Sequence, residues 1–372
     1  MKIVIDDKIP FIKGVLEPYA DVVYLPGGKI SPDDVVDANA LVTRTRTKCN
    51  EHLLKGSSIE LITTATIGYD HIDVAYCDKA GIKWQNAPGC NSESVLQYIA
   101  SVFANLVLKK NISLKGKTLG VVGVGNVGSK IARLGAAFDM KVLLNDPPRE
   151  RVEGSEKFTS LEELLQESDI ISLHVPLIRE GMDKSYHLLN EQSLMKMKPE
   201  AILINTSRGE AINTSALMEA LHQGKLGKVV LDVWENEPQI NRELLDLTEI
   251  ATPHIAGYSK DGKANGTAMS VQALSQHFQF GLDHWYPTDL PSPSKPILSI
   301  PFTEDSEKTL STSILHTYDV MEDDARLRLN TDEFEYQRGA YPDRREFQAY
   351  TILSDFLDVT TAKKLAELGF SI

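Results

Sequence analysis

Three residues in the second half of the chain have the types that proton transfer and charge stabilisation need, and each stands just past an apolar run. Arg208 lies in Asn205-Thr206-Ser207-Arg208-Gly209-Glu210, after Ala201–Ile204. Glu237 lies in Asp232-Val233-Trp234-Glu235-Asn236-Glu237-Pro238, after Val229–Leu231. His254 lies in Thr252-Pro253-His254-Ile255-Ala256-Gly257-Tyr258, after Glu249–Ala251. An imidazole can take or give a proton near neutral pH. A carboxylate bonded to it fixes its tautomer and favours its cation. A guanidinium can hold a carboxylate or stabilise a developing alkoxide. Alone, each reads as ordinary: a packed histidine, a solvated acid, a surface cation. Their joint placement at the carboxyl ends of successive strands makes them one candidate site. His71, His187 and His222 lack such a setting and read as structural, and Glu235 reads as a solvated acid. No His/Asp/Glu group has metal spacing, and Ser207-Arg208-Gly209 is no nucleophile elbow, so neither a metal site nor serine hydrolysis is expected.

A second constellation lies upstream. Leu119-Gly120-Val121-Val122-Gly123-Val124-Gly125-Asn126-Val127-Gly128 is an apolar strand running into G-x-G-x-x-G. A helix over Ser129–Phe138, a strand over Lys141–Asn145 and Asp146 follow. In such a unit Gly123 makes the tight turn, Gly125 lets the backbone approach a pyrophosphate, and Gly128 lets helix pack on strand. The N–H groups of Asn126 and Val127 face the phosphates, and Asp146 accepts from ribose hydroxyls. A carboxylate there repels a 2′-phosphate, so NAD is the expected cofactor; Arg149 keeps a smaller NADP alternative. His174-Val175-Pro176 ends the next strand and would border the adenine.

The elements that must position these residues alternate strand and helix. Strands are predicted at Lys2–Ile5, Val22–Leu25, Ala40–Thr43, Leu61–Thr64 and Ile82–Trp84, with helices such as Asp34–Asp37 and His52–Lys55 between them. A long helix opens near Asn91 or Ser92 and runs to about Lys109, long enough to bridge two domains. A second βα series uses Thr118–Val122, Lys141–Asn145, Ile170–His174, Ala201–Asn205, Val229–Val233 and a short strand near Ile250. A helix from Ser259 to about Leu282 follows. Pro287, Pro291, Pro293 and Pro296 mark a linker. Beyond it, Leu315–Val320 and Arg326–Leu329 read as strands, and Asp343–Asp358 and Thr361–Leu368 as helices. The fold class is therefore α/β: two doubly wound parallel-sheet, Rossmann-like domains and a small C-terminal α/β domain. The divisions are 1–95 with 259–285, then 96–258, then 286–372.

The formal charge of −13 argues against nucleic acid or anionic membrane as partner and obliges the chain to hold any anionic substrate with local cations and amides. No apolar run approaches a membrane span, and the N-terminus lacks a secretory pattern, so a cytoplasmic protein is expected. Cys49, Cys77 and Cys90 are odd in number and scattered, which suits reduced thiols.

With the glycine fingerprint, the three strand-end segments resemble the D-2-hydroxyacid dehydrogenases, whose patterns end in R-G, E-x-E-P and P-H-x-A/G. Thr66-Ile67-Gly68-Tyr69-Asp70-His71-Ile72-Asp73 resembles that family's substrate loop. The resemblance implies oxidation of a 2-hydroxy acid by NAD, with His254 as base, Glu237 as its partner and Arg208 on the substrate carboxylate or C2 oxygen. It implies cofactor contacts from Val175, Thr206, Arg208, Asp232 and Gly257 as well as the fingerprint residues. It makes 1–95 with 259–285 the substrate-binding domain and 96–258 the NAD-binding domain.

Three features resemble the branch of the family that acts on a phosphorylated four-carbon sugar acid. They are Asn145-Asp146-Pro147-Pro148-Arg149, the position of Tyr258, and a tail with His316-Thr317-Tyr318-Asp319-Val320 and Tyr341-Pro342-Asp343-Arg344-Arg345-Glu346. That tail implies a dimerisation domain and a homodimer. The resemblance makes Thr45, where serine is the family's expected residue, a substrate contact, with Thr66 and Tyr258. Arg44 and Arg46 are cations suited to the phosphate, although alternation along the strand could turn them to solvent. Arg344 and Arg345 reach the site only if the tail folds back, and otherwise read as surface or dimer-contact residues. Other acids, such as 3-phosphoglycerate or hydroxypyruvate, and an NAD-sensing binding protein are the competing readings.

Overall fold

The structure, a computed structural model, describes residues 1–300, 305–354 and 357–372. It divides into two compact units, Met1–Asn91 with Ser259–Pro291 and Ser92–Tyr258 with Ser292–Ile372.

In the first unit, β1 (Lys2–Asp6), β2 (Asp21–Leu25), β3 (Ala40–Thr43), β4 (Leu61–Thr64) and β5 (Lys83–Gln85) form one sheet in the order β2-β1-β3-β4-β5. Every pair is parallel. The middle strands are buried along their length, which is why they read as continuous apolar runs rather than alternating ones. A helix at Val74–Ala80 joins β4 to β5, capped by Asp73 on the Tyr76 N–H and ended by Gly81 at φ 72°. Its single buried residue, Cys77, gives it no apolar stripe to see in the sequence. The helix Lys260–Phe278 completes this unit, capped by Ser259. Cys49, Cys77 and Cys90 are free and buried.

In the second unit, β6 (Thr118–Val122), β7 (Lys141–Asn145), β8 (Ile170–Leu173), β9 (Ile202–Asn205), β10 (Lys228–Leu231) and β11 (Ile250–Ala251) form a sheet ordered β11-β10-β9-β8-β6-β7. All its pairs are parallel. The order reverses between β6 and β8, where open parallel sheets bind ligands.

The long helix Ser92–Lys110 belongs to this unit and is buried almost throughout. Four polar residues run along it at helical spacing, and each reaches the C-terminal segment. Ser94 donates to Glu346 (2.7 Å), Gln97 to the Arg345 carbonyl (2.9 Å) and Asn105 to Asp319 (3.0 Å), while Ser101 accepts from the Val320 N–H (2.9 Å). Residues i, i+3, i+7 and i+11 share a helix face, so one polar stripe docks the tail.

The tail differs from its sequence reading. Leu315–Val320 and Arg326–Leu329 are not strands: helices Ser306–Thr317 and Val320–Leu329 occupy this stretch. The aromatic and β-branched cluster of Thr317-Tyr318-Asp319-Val320 marks the joint between them, where Asp319 caps the second helix on the Met321 N–H. Asp343–Asp358 is not a helix. It contains a turn at Phe347–Ala349 and β13 (Thr351–Leu353), which pairs in parallel with β12 (Ile297–Ser299); residues 355–356 lie outside the described residues. The hydrogen bonds of Arg344, Arg345 and Glu346 to the long helix and to the His254 loop hold this stretch extended. The helix Val359–Leu368 is present. Ser292–Ile372 thus packs into the same compact unit as the six-stranded sheet. Among the described residues no helix is long and apolar enough to cross a membrane.

Candidate active site

The glycine turn after β6 shows what each glycine does. Gly123 takes φ +84°, and a Cβ there would sit 2.5 Å from the His174 carbonyl and 3.1 Å from Val175. A Cβ on Gly128 would lie 1.9 Å from the Gly123 carbonyl, so helix and strand meet too closely for any side chain. Gly125 has nothing within 4 Å of its Cβ position: its face is open, as a backbone that receives a pyrophosphate requires. Asn126 is exposed and Val127 half-buried at the entry of the helix Gly128–Ala137.

Asp146 follows β7 and already works within the protein, accepting from the Val124 N–H at 2.8 Å and the Arg149 N–H at 3.1 Å. A carboxylate has about four acceptor positions, so two remain for ribose hydroxyls. Arg149 is taken up by Glu153, at 2.6 and 2.9 Å, and by the Val124 carbonyl. It therefore does not offer its fork to a 2′-phosphate. His174 donates to or accepts from Ser172 Oγ at 2.9 Å, and burial pushes its imidazole down to about 3, so the ring beside this crevice is neutral.

The strand-end loops bring the three chemical residues to one place. Asn205 shapes the first loop, accepting from the Ser207 N–H (3.0 Å) and donating to the Arg208 carbonyl (2.9 Å). Gly209 presses this loop onto the next: a Cβ there would lie 2.0 Å from Trp234 C and 2.4 Å from Glu235 N. Trp234 Nε1 donates to the Thr252 carbonyl at 3.0 Å, tying the second loop to the third. Glu237 then accepts from the Trp234 N–H at 3.0 Å through Oε1 and from His254 Nδ1 at 2.7 Å through Oε2. Burial alone would raise the Glu237 carboxyl, but the His254 bond and charge, with the Trp234 N–H and the Arg338 charge, hold it below its ordinary range. An ionised carboxylate only accepts, so Nδ1 carries the hydrogen and Nε2 of the neutral ring is the basic nitrogen. Arg208, Glu237 and His254 line a cavity of about 340 Å³ together with Arg179, Tyr186 and Glu235. A larger cavity of about 620 Å³ in the first unit, lined among others by Cys77, Lys83 and Gln276, holds none of the three.

His254 sits at φ +57°, a left-handed conformation that a non-glycine residue keeps only when its surroundings dictate it. Asp232 dictates it. Its carboxylate is buried and accepts from the N–H groups of Ile255 (2.7 Å) and Ala256 (2.9 Å) and from Thr252 Oγ1 (2.7 Å), and its carbonyl accepts from the His254 N–H (2.7 Å). Burial pushes the Asp232 carboxyl up against these donors and the His254 charge. Its Oδ2 keeps one acceptor position. Tyr98, wholly buried on the long helix, extends the network at 2.8 Å from Thr252 Oγ1.

Sequence reasoning missed one tail residue here, Arg338, and gave another, Arg344, a place only if the tail folds back. Arg344 is 5% exposed; it donates to the Ala256 carbonyl at 2.6 Å and lies 4.4 Å from the Tyr318 ring centre. It is neither a surface nor an idle residue, because the rings of Tyr318 and Tyr341 enclose it and the His254 loop accepts its bond. Arg338 lies 6.0 Å from the Tyr258 ring, and the Tyr341 ring lies 5.8 Å from that ring. Arg338 stands in Tyr336-Gln337-Arg338-Gly339, which forms no motif, and Arg344 in a charged D-R-R-E run that reads as solvated. Gly257 is half-buried in the same loop, and Thr206 has a buried hydroxyl with no hydrogen-bond partner.

The expected substrate residues of the first unit follow β3 and β4. Arg44 Nη1 donates to the Lys8 carbonyl at 3.0 Å, and Thr45 and Arg46 are exposed beside it. Thr66 lies 2.8 Å from Thr64 Oγ1 and donates to the Gly68 carbonyl at 2.9 Å.

Residues 103–256 match the family described as D-isomer specific 2-hydroxyacid dehydrogenase, NAD binding domain, and residues 290–369 match a domain of unknown function. A D-lactate dehydrogenase from Aquifex aeolicus, solved with NAD and lactic acid, is similar in structure. It has TM-score 0.64 and 30% identity, covering 76% of this chain and 97% of that one. Fold, glycine turn and strand-end loops define an NAD-dependent dehydrogenase of the D-2-hydroxyacid class. Two curated relatives narrow this. The erythronate-4-phosphate dehydrogenase of Bacteroides thetaiotaomicron is 50% identical over 95% of this chain and 99% of its own length. That of Escherichia coli O157:H7 is 39% identical over 100% and 98%. The chain belongs to the erythronate-4-phosphate dehydrogenase family.

Proposed function

We propose that this chain oxidises 4-phospho-D-erythronate to (R)-3-hydroxy-2-oxo-4-phosphobutanoate with NAD, a step of pyridoxine 5′-phosphate biosynthesis. The observation that carries the chemistry is the 2.7 Å bond between His254 Nδ1 and Glu237 in a cavity that Arg208 also lines. Nicotinamide, when bound, supplies the hydride acceptor. His254 Nε2 takes the proton of the C2 hydroxyl, and Glu237 stabilises the imidazolium that results. Arg208 holds the substrate carboxylate or the C2 oxygen by charge-assisted hydrogen bonds. Gly123, Gly125, Asn126, Val127, Gly128 and Asp146 hold the dinucleotide, with Val175, Thr206, Arg208, Asp232 and Gly257 as further contacts. Thr45, Thr66 and Tyr258, with Arg44 and Arg46, contact the substrate. The segment from 286 onward serves a homodimer, and the enzyme works in the cytoplasm.

Steady-state oxidation of a panel of 2-hydroxy acids with NAD tests the substrate. 4-Phosphoerythronate is expected to give the highest kcat/KM. A preference for 3-phosphoglycerate, or for an unphosphorylated acid, overturns the assignment. Sedimentation of the purified chain tests the dimer.

A further inference from the structure

The substrate reading leaves a physical question: which cation meets the phosphate? The net charge of −13 gives a dianion no general attraction, so a particular side chain must supply it. Resting on that reading, we propose that Arg338, from the C-terminal segment, holds the substrate phosphate and makes this segment a specificity element of the site.

Three observations carry this. Arg338 stands over the Tyr258 ring, four residues beyond His254, with its guanidinium centre 6.0 Å from the ring centre. It feels the charge of Glu237, the same carboxylate that orients the base. Its donors are under-used: Nη1 meets Glu335 at 2.8 Å, whereas Nη2 makes no hydrogen bond to a described residue. A guanidinium has five N–H donors, so its outer edge keeps donors for a ligand. A phosphate, with three acceptor oxygens, answers a planar fork of this kind.

Two other arginines of this unit are placed differently. Arg344 is 5% exposed, enclosed by two tyrosine rings and bonded to the Ala256 carbonyl, whereas the Arg338 side chain is 20% exposed. Arg179 is 61% exposed and lies 3.5 Å from Glu210. The comparison points the same way. The Aquifex D-lactate dehydrogenase, solved with an unphosphorylated acid, covers 76% of this chain, and the uncovered share is close to the length of the matched C-terminal domain at 290–369.

The test uses the full chain, wild type and Arg338→Met, with 4-phosphoerythronate and with erythronate lacking the phosphate. Arg338→Met is expected to lower kcat/KM for the phosphorylated acid about 100-fold, mainly through KM, and that for erythronate at least tenfold less, since there only its charge on Glu237 is lost. Inhibition by inorganic phosphate should weaken in parallel. Equal losses on both acids would show that Arg338 acts only through Glu237 or the fold, and would overturn the proposal, as would no loss on either. Should Arg338→Met not fold, Arg338→Lys keeps the charge and removes the fork. A loss confined to the phosphorylated acid then supports the proposal and an equal loss sinks it. Wild type without a preference for the phosphorylated acid would instead sink the substrate reading itself, so the two failures are distinct.

Discussion

Two imidazole–carboxylate pairs are anchored on one loop, and only one of them can do acid–base work. His254 meets Glu237 at 2.7 Å through Nδ1, and His187 meets Glu235 at 2.6 Å through Nε2. Both histidines hold left-handed backbone, at φ 57° and 50°, and both glutamates line the same cavity. The difference is in the second nitrogen. His187 Nδ1 lies 3.2 Å from Asn213 Nδ2 and its ring stacks on Tyr186 at 4.0 Å, so both ring nitrogens are spent. Glu235 is spent as well, accepting from the Thr214 N–H at 2.9 Å. His254 Nε2 makes no hydrogen bond to a described residue. Neither a carboxylate partner nor backbone strain marks the base; an uncommitted nitrogen does.

The largest expected effect tests that distinction directly. His254→Gln should lower kcat about 10³-fold while NAD still binds, and His187→Gln should keep kcat within a few-fold. Equal losses in the two variants would erase the contrast. Gly209→Ala should damage both pairs together, because its Cβ would lie 2.0 Å from the Trp234 carbonyl carbon at the root of the loop that carries both glutamates. A loss of about 3 kcal/mol in denaturant titration is expected, and an unchanged midpoint would show that the loops slide freely. Glu237→Gln should lower kcat about 10²-fold, whereas Glu235→Gln should cost about 1 kcal/mol of stability and little turnover. Reversal of these two outcomes would exchange the roles of the pairs.

A third histidine sharpens the comparison through pH. His174 has no carboxylate, and burial alone sets its imidazole at about 3 against an ordinary 6.5. Between those values the unfolded chain binds the extra proton, so stability is full above 6.5 and falls as pH drops toward 3. From pH 7 to pH 5 the contribution is about 2 kcal/mol. Glu235 and Glu237, both held low in the fold, add their losses only below the ordinary carboxyl value of 4.5. Urea unfolding of His174→Gln at pH 7, 6 and 5 should show a shallower decline than wild type, and parallel curves would remove His174 from the account.

What could be read in advance depended on how local the cause was. Gly123, Gly125 and Gly128 act through turn conformation and close approach within one βα unit, so their spacing carried the meaning. Arg208, Glu237 and His254 follow strands of a parallel sheet, and topology delivers such residues to one end. The tail obeyed no local rule. Leu315–Val320 straddles a helix joint capped by Asp319, so its strand-like composition belonged to no strand. Arg344 is buried by rings from other turns, and Glu235 is paired by a histidine 48 residues earlier. One signal was available: Ser94, Gln97, Ser101 and Asn105 form a polar line on an otherwise apolar helix, which announces a docked partner before that partner is known.

The bond from Arg344 to the Ala256 carbonyl has a consequence for synthesis. The loop bearing the base is translated before its partner, for Arg344 follows Ala256 by 88 residues. A nascent chain that has not yet reached Arg344 has its dinucleotide turn and the Asp232 and Glu237 bonds to the His254 loop but lacks this fastening, so the loop is completed only once the tail has been made.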